Sequence, residues 1–376
     1  MVRPLRRRAT ARGCADRTRP DRVSDTTSIE PHPTVPGDHR TPWGRPGAAA
    51  RRPPAPAPPP DGRGEHRRRG MDGARVQRGG WRHASAAPDP PPRARNARAH
   101  LPARGPLVSA AERTLLLEVE GGVATLTLNR PEAGNQFETA MAADLLAAAE
   151  EVAGRDDVRV VVLRGAGKAF CFGGDVAFMA GSDDPRATLD VMSEQLHAAV
   201  LALSSGDAPI VAVVQGPAMG VGLSLVAIAD VVLAGASAKF MAGYSNVGLT
   251  PDGGMTWTLP RKVGIARATD MLLRNPTLDA EAAREAGIVT EVLADDELQD
   301  RATKVVGQLA QGPTQALGAI RRLLQGSLGA TLGEQLDAER ASLLGRVASD
   351  EAREGMTAFA ERRRPSFAGD PAEAGR

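Results

Sequence analysis

The chain of 376 residues has two cysteines, one tyrosine and six histidines, and aromatic residues make up 3% of it. Cys14 and Cys171 lie far apart in different compositional settings, which excludes a disulfide framework and a Cys-rich zinc module. His32, His39, His66, His83 and His100 all fall in the first 106 residues, leaving His197 alone for the rest. A His-based metal site or a Ser-His-Asp triad beyond residue 106 is therefore not expected, and no metal ligands are assigned. No apolar run reaches the roughly 18–20 residues of a membrane span. The longest, Ile210–Val214 and Val221–Ala229, are separated by Gly and Pro. Without disulfides or an apolar signal core, the expected setting is cytoplasmic, with no membrane partner.

Lysine is missing from residues 1–106 altogether. They hold 23 Arg, 9 acidic residues and 19 of the 29 Pro, a balance of +14. Residues 107–376 carry 24 basic and 36 acidic residues, a balance of −12, so the formal total of +2 describes neither part. Runs such as Arg51-Arg52-Pro53-Pro54 and Pro58-Pro59-Pro60, with few aliphatic side chains to bury, cannot offset the entropy of ordering. Residues 1–108 are expected to be a disordered Arg/Pro-rich leader, with Met71 or Val108 as candidate downstream starts. A basic arm for nucleic acid is the rival reading. The lack of lysine and of interleaved aromatics argues against it. A targeting peptide would need an amphipathic helix, which Asp16, Asp21, Asp25 and the prolines spoil.

Order is expected from Thr114. Thr114–Glu120 and Val123–Leu128 flank Gly121-Gly122 and read as a β-hairpin. Glu138–Val152 has helical periodicity, and Val158–Leu163 and Ile210–Val214 read as buried strands. Leu189–Ser204 and Gly222–Ala229 read as helices, and Val231–Ala234 as a strand. Strands alternating with helices indicate a layered α/β fold. From Leu278 helices dominate: Asp279–Ala286, Leu298–Gln311, Pro313–Leu328, Leu332–Arg346 and Ser349–Arg363.

Two glycine-rich turns each follow a strand: Phe170-Cys171-Phe172-Gly173-Gly174-Asp175 and Gly216-Pro217-Ala218-Met219-Gly220-Val221-Gly222. Such turns can aim backbone N–H groups at a developing oxyanion. They can equally cradle a phosphate or simply join strand to helix. Neither carries the Gly-Lys-Ser/Thr of a P-loop or a full Gly-x-Gly-x-x-Gly.

Lys168–Asp175 resembles a signature segment of the crotonase (enoyl-CoA hydratase/isomerase) superfamily. Four further segments resemble it in order: Leu128–Glu132, Gln215–Gly222, Gly248–Gly254 and Glu354–Arg363. The likeness covers 114–369. It implies a ββα spiral core over 109–305 and a helical trimerisation region over 306–376, assembled as a homotrimer or dimer of trimers. It also implies an acyl-CoA thioester as substrate, with no cofactor beyond the CoA that the substrate carries.

By motif position, the N–H groups of Phe172 and Val221 would hold the thioester enolate. Ala133, Ala169, Gly173, Gly174, Asp175, Phe178, Ser224, Tyr244 and Trp257 would contact substrate, with Met241 as a further acyl-pocket candidate. Typical hydratases of the family use two glutamates. Ser224 and Tyr244 stand at those positions here, and at their ordinary pKa values neither deprotonates water well. Gly248-Leu249-Thr250-Pro251-Asp252 instead resembles the isomerase branch, which implies Asp252 as the acid/base of an enoyl-CoA isomerase. Pro-Asp-Gly is also an ordinary turn sequence. A hydratase and a non-catalytic acyl-CoA binder stay open as alternatives. Asp175 reads as a helix cap, Cys171 as a small buried apolar residue, and His197 as a surface or packing residue. Arg362, Arg363 and Arg364 read either as contacts for CoA phosphates or as a basic helix end.

Overall fold

The computed structural model describes residues 113–368. The expectations for residues 1–108 lie outside the described residues. β1 (Leu115–Glu120) and β2 (Val123–Leu128) form the expected antiparallel hairpin, with Leu117 opposite Leu126. α1 (Thr139–Ala153) buries Met141, Ala142, Leu145, Ala149 and Val152 on one face, the helical period seen in the sequence. β3 (Val160–Gly165) is followed by the short α2 (Val176–Ala180) and the long α3 (Pro185–Ser205). α3 starts four residues before the expected Leu189. The Asp184 side chain accepts the N–H groups of Arg186 and Ala187, and Pro185 occupies the first helical position.

β4 (Ile210–Val214), β5 (Ala218–Met219), α4 (Val221–Ile228), β6 (Val231–Gly235) and β7 (Lys239–Met241) come next. α5 (Met255–Val263) and α6 (Ile265–Arg274), which the sequence reading passes over, precede β8 (Leu278–Asp279), α7 (Ala280–Glu285) and β9 (Glu291–Leu293). α8 (Leu298–Ala310), α9 (Thr314–Ser327), α10 (Leu332–Val347) and α11 (Asp350–Ala360) complete the described chain.

Six strands form one sheet in the order β1-β2-β3-β4-β6-β9, parallel from β2 onward. β5, β7 and β8 make a smaller sheet. Alternation decides what each face of the large sheet meets. Val161, Leu163, Ala212 and Val214 share a core with residues of α1, α3 and α4. Val160, Val162, Val211, Val213 and Leu233 pack against Leu298, Ala302, Val306 and Ala310 of α8. With both faces covered, β3 and β4 need apolar residues almost throughout.

The expected division at 305/306 therefore cuts α8, whose buried face belongs to the sheet; the separate helical region begins after it. Arg321 of α9 ties that region back to the core. Its Nη1 donates to the carbonyls of Gly206 (2.8 Å) and Ala208 (2.9 Å), and its guanidinium pairs with Asp230 at 2.8 Å.

Candidate active site

The two glycine-rich turns leave the carboxyl ends of neighbouring parallel strands, β3 and β4, where open α/β sheets place their ligand crevices. They are stitched together by backbone bonds. Cys171 N–H donates to Pro217 O (2.9 Å), and Met219 N–H donates to Cys171 O (2.8 Å). The approach is close enough that a Cβ on Gly222 would lie 2.6 Å from Cys171 O, so only glycine fits there. Two side-chain amides, one buried and one half-buried, brace the first turn. Asn135 Nδ2 donates to the carbonyls of Ala166, Ala169 and Phe170, and Gln215 Nε2 to those of Gly165, Gly167 and Ala169.

Phe172 N–H donates to Gly134 O at 3.0 Å. It is already satisfied and does not serve as the oxyanion donor the sequence resemblance suggested. Phe137 N–H and Asp175 N–H are likewise paired, with Gly173 O and Phe137 O. Gly174 N–H and Val221 N–H have no acceptor among the described residues. Val221 is the first residue of α4, where a helix leaves its N–H groups unpaired and its dipole favours negative charge.

Both residues border a cavity of about 570 Å³. Its wall also holds Phe172, Gly173, Met241, Tyr244 and Asp252, so the structure gathers much of the expected site in one place. Asp252 sits in the loop between β7 and α5, one residue before Gly253. Gly253 has φ +60°, and a Cβ there would come 2.9 Å from Ser224 Cβ. Glycine at 253 thus lets the loop close onto α4.

Both carboxylate oxygens of Asp252 are held. Tyr244 Oη donates to Oδ1 at 2.7 Å, and Ser193 Oγ to Oδ2 at 3.3 Å. Ser224 Oγ lies 3.1 Å from Tyr244 Oη and 3.0 Å from the Asp252 carbonyl oxygen, fixing the pair from behind. Burial, with the Asp252 carboxylate close by, pushes the Tyr244 phenol well above its ordinary value, so it stays a proton donor. Burial pushes the Cys171 thiol up to about 12, and Gly173 N–H donates to its sulfur at 3.3 Å. Cys171 is a brace for the turn and not a nucleophile.

Other expected contacts lie off the cavity wall. Ala133 is in a 3₁₀ turn, and Ala169 is buried with its carbonyl occupied by the two amides. Asp175 caps α2 by accepting Phe178 N–H at 3.0 Å and lies 3.6 Å from Arg130. Phe178 is exposed on α2, and Trp257 stacks under the Arg261 guanidinium at 3.7 Å. Ser224 is fully buried behind the wall. Arg363 chelates Glu354 (2.6 and 2.8 Å) and bonds Glu361 (2.7 Å), which commits it to the protein's own carboxylates.

Sequence reasoning missed Ser193, whereas His197 is, as expected, an exposed residue that packs against the Asp252 loop. Both face the cavity from α3, and His197 Nε2 accepts Gly253 N–H at 3.2 Å. Their spacing of four residues, beside Leu189, Met192 and Leu196, was the available signal. Among the described residues, no three His, Cys, Asp or Glu cluster as metal ligands would.

The sheet order, the stitched turns and the C-terminal helices are those of the crotonase superfamily. The chain belongs to the enoyl-CoA hydratase/isomerase family, whose profile matches residues 118–370. It is 39% identical over 259 residues to 1,2-epoxyphenylacetyl-CoA isomerase of Escherichia coli K12, covering 68% of this chain and 98% of that one. A probable enoyl-CoA hydratase of Rhodobacter capsulatus is 37% identical over 257 residues, with coverage of 68% and 98%. The crystal structure of a putative enoyl-CoA hydratase/isomerase from Mycobacterium abscessus superposes with TM-score 0.65 at 36% identity, covering 68% of this chain and all of that one. The chain is thus an acyl-CoA enzyme of the hydratase/isomerase type. No described helix is long and apolar enough to cross a membrane.

Proposed function

We propose that the protein is an enoyl-CoA isomerase that moves a double bond within an acyl thioester, with Asp252 as its single acid/base. The observation that carries this reading is the cavity wall itself: Asp252 is its one carboxylate among the described residues. Hydration of a 2-enoyl thioester asks for two groups, one to deprotonate water and one to protonate carbon. Moving a double bond asks for one group that takes a proton and returns it.

In this mechanism the thioester oxygen accepts the N–H groups of Gly174 and Val221. Asp252 removes a proton from C2 of a 3-enoyl thioester, and the electrons delocalise into the oxygen as a dienolate. The same carboxylic acid then delivers the proton to C4, giving the 2-enoyl product. Two fixed N–H donors need no reorganisation as negative charge grows on that oxygen, which is why they stabilise the transition state more than the ground state. The reaction needs no cofactor beyond the CoA of the substrate.

The exposed apolar residues Leu324, Leu328, Leu332, Leu343 and Phe359 on α9–α11 support assembly into a homotrimer or dimer of trimers. The name of the Escherichia coli relative supports an isomerase, and that of the Rhodobacter capsulatus relative supports a hydratase.

The protein incubated with a 3-enoyl-CoA should yield a 2-enoyl-CoA of unchanged mass, with the double-bond position read by NMR. A gain of one water on a 2-enoyl-CoA would establish the hydratase instead. Binding of either thioester without chemistry would leave an acyl-CoA binder.

Tyr244→Phe removes the phenolic donor to Asp252 and keeps the ring. Losing a hydrogen bond to a charged group, worth about 1.5 kcal/mol, should lower kcat about 10-fold with little change in KM. An unchanged kcat would reduce Tyr244 to a packing residue.

A further inference from the structure

The chemistry of the whole cavity wall says more than its one carboxylate. Among the described residues the wall carries no Lys and no Arg. Four methionines, Met179, Met192, Met219 and Met241, line it together with Phe137 and Phe172. Its ionisable groups are Asp252, Tyr244 and His197. Tyr244 spends its proton on Asp252, and His197 Nε2 is occupied in accepting Gly253 N–H. The site thus offers an anion no fixed positive charge, and Asp252 adds a negative one.

We infer that the cavity selects neutral, apolar acyl groups and rejects acyl chains that end in a carboxylate. The inference rests on the reading of this cavity as the acyl site. A carboxylate carried into such a wall loses its hydration and gains no cation, and it meets the Asp252 charge at low effective dielectric. An apolar chain or ring instead meets flexible thioethers that adapt to its outline and make favourable sulfur–π contacts where the acyl group carries an aromatic ring. Discrimination therefore resides in the charge at the far end of the acyl group, and the wall tolerates variation in shape.

Three unreactive thioesters built on a six-carbon acyl chain separate charge from size: hexanoyl-CoA, adipyl-CoA and the methyl ester of adipyl-CoA. Calorimetry with the full chain should show hexanoyl-CoA binding at least about 100-fold more tightly than adipyl-CoA, the scale set by burying an unpaired charge. The methyl ester should recover most of that loss.

Val176→Lys and Leu249→Lys place a cation on the wall at positions that are 45% and 39% exposed, where the fold tolerates it. Each should narrow the hexanoyl-to-adipyl ratio about 10-fold or more, as a paired charge replaces an unpaired one. Equal affinities in the unmodified protein, or a methyl ester as weak as the free acid, would overturn the inference. Because binding is read without turnover, a hexanoyl preference in a protein that moves no double bond would remove the isomerase reading and leave this one standing.

Discussion

Asp252→Asn should abolish nearly all double-bond migration, lowering kcat by about 10³-fold, within the range for loss of a positioned acid/base. The substitution is close to isosteric and keeps the local bonds. An asparagine carbonyl can still accept the Tyr244 hydroxyl that now lies 2.7 Å from Oδ1, and its amide can donate to Ser193 Oγ. The loop is held independently by Gly253 N–H on His197 and by Ser224 on the Asp252 carbonyl. The variant should therefore fold with an unchanged urea midpoint and bind a saturated acyl-CoA as well as the parent does. What it lacks is basicity, since an amide does not accept a proton from C2 at neutral pH. Activity within 10-fold of the parent would remove Asp252 from the chemistry. Exchange of C2 protons with deuterated solvent gives a second readout, expected to vanish with turnover.

Most of the scaffold was legible because its signals are local. The Gly121-Gly122 turn between two strand-like runs, and the apolar runs of β3 and β4, state their own geometry. The five C-terminal helices follow from periodicity and caps, as with Thr331, whose hydroxyl accepts Glu334 N–H while the Glu334 carboxylate accepts Thr331 N–H. α5 was hidden because it opens at two left-handed glycines, Gly253 and Gly254, and contains Pro260, all of which read as loop.

The site was half legible for a different reason. A glycine-rich turn can bring backbone N–H groups to a ligand, but which one is spare depends on the strand beside it. Phe172 N–H is consumed by Gly134 O, a residue 38 positions earlier in the chain, and nothing in the turn reports that partner. Gly174 is freed by the same pairing, because the Phe137 segment bonds to its two neighbours and skips it. The placement of Ser193 beside Asp252 depends in the same way on how α3 crosses the cavity.

Val221→Pro should lower kcat by about 10²–10³-fold, the usual cost of one lost oxyanion donor. Side-chain changes cannot test a backbone N–H, but proline removes it outright, and this is one of the few helical positions where proline fits. Val221 is the first residue of α4, so its N–H has no intrahelical acceptor to lose. Gly220 before it has no Cβ to clash with the pyrrolidine ring and already lies outside the helical region, at φ 52°, ψ −124°. The fold should survive, as judged by circular dichroism and the urea midpoint. Val221→Ala is the matched control: it trims the side chain, keeps the N–H, and should stay within a few-fold of the parent. Infrared spectra of a bound, unreactive thioester separate electronic from steric effects. In the parent and the Ala variant the thioester carbonyl stretch should move to lower frequency than in water, because two fixed donors polarise it. In the Pro variant part of that shift should be lost, leaving the contribution of Gly174. A Pro variant with full activity and an unaltered carbonyl stretch would show that the thioester oxygen does not rest between these two turns, and the proposed mechanism would fall with it.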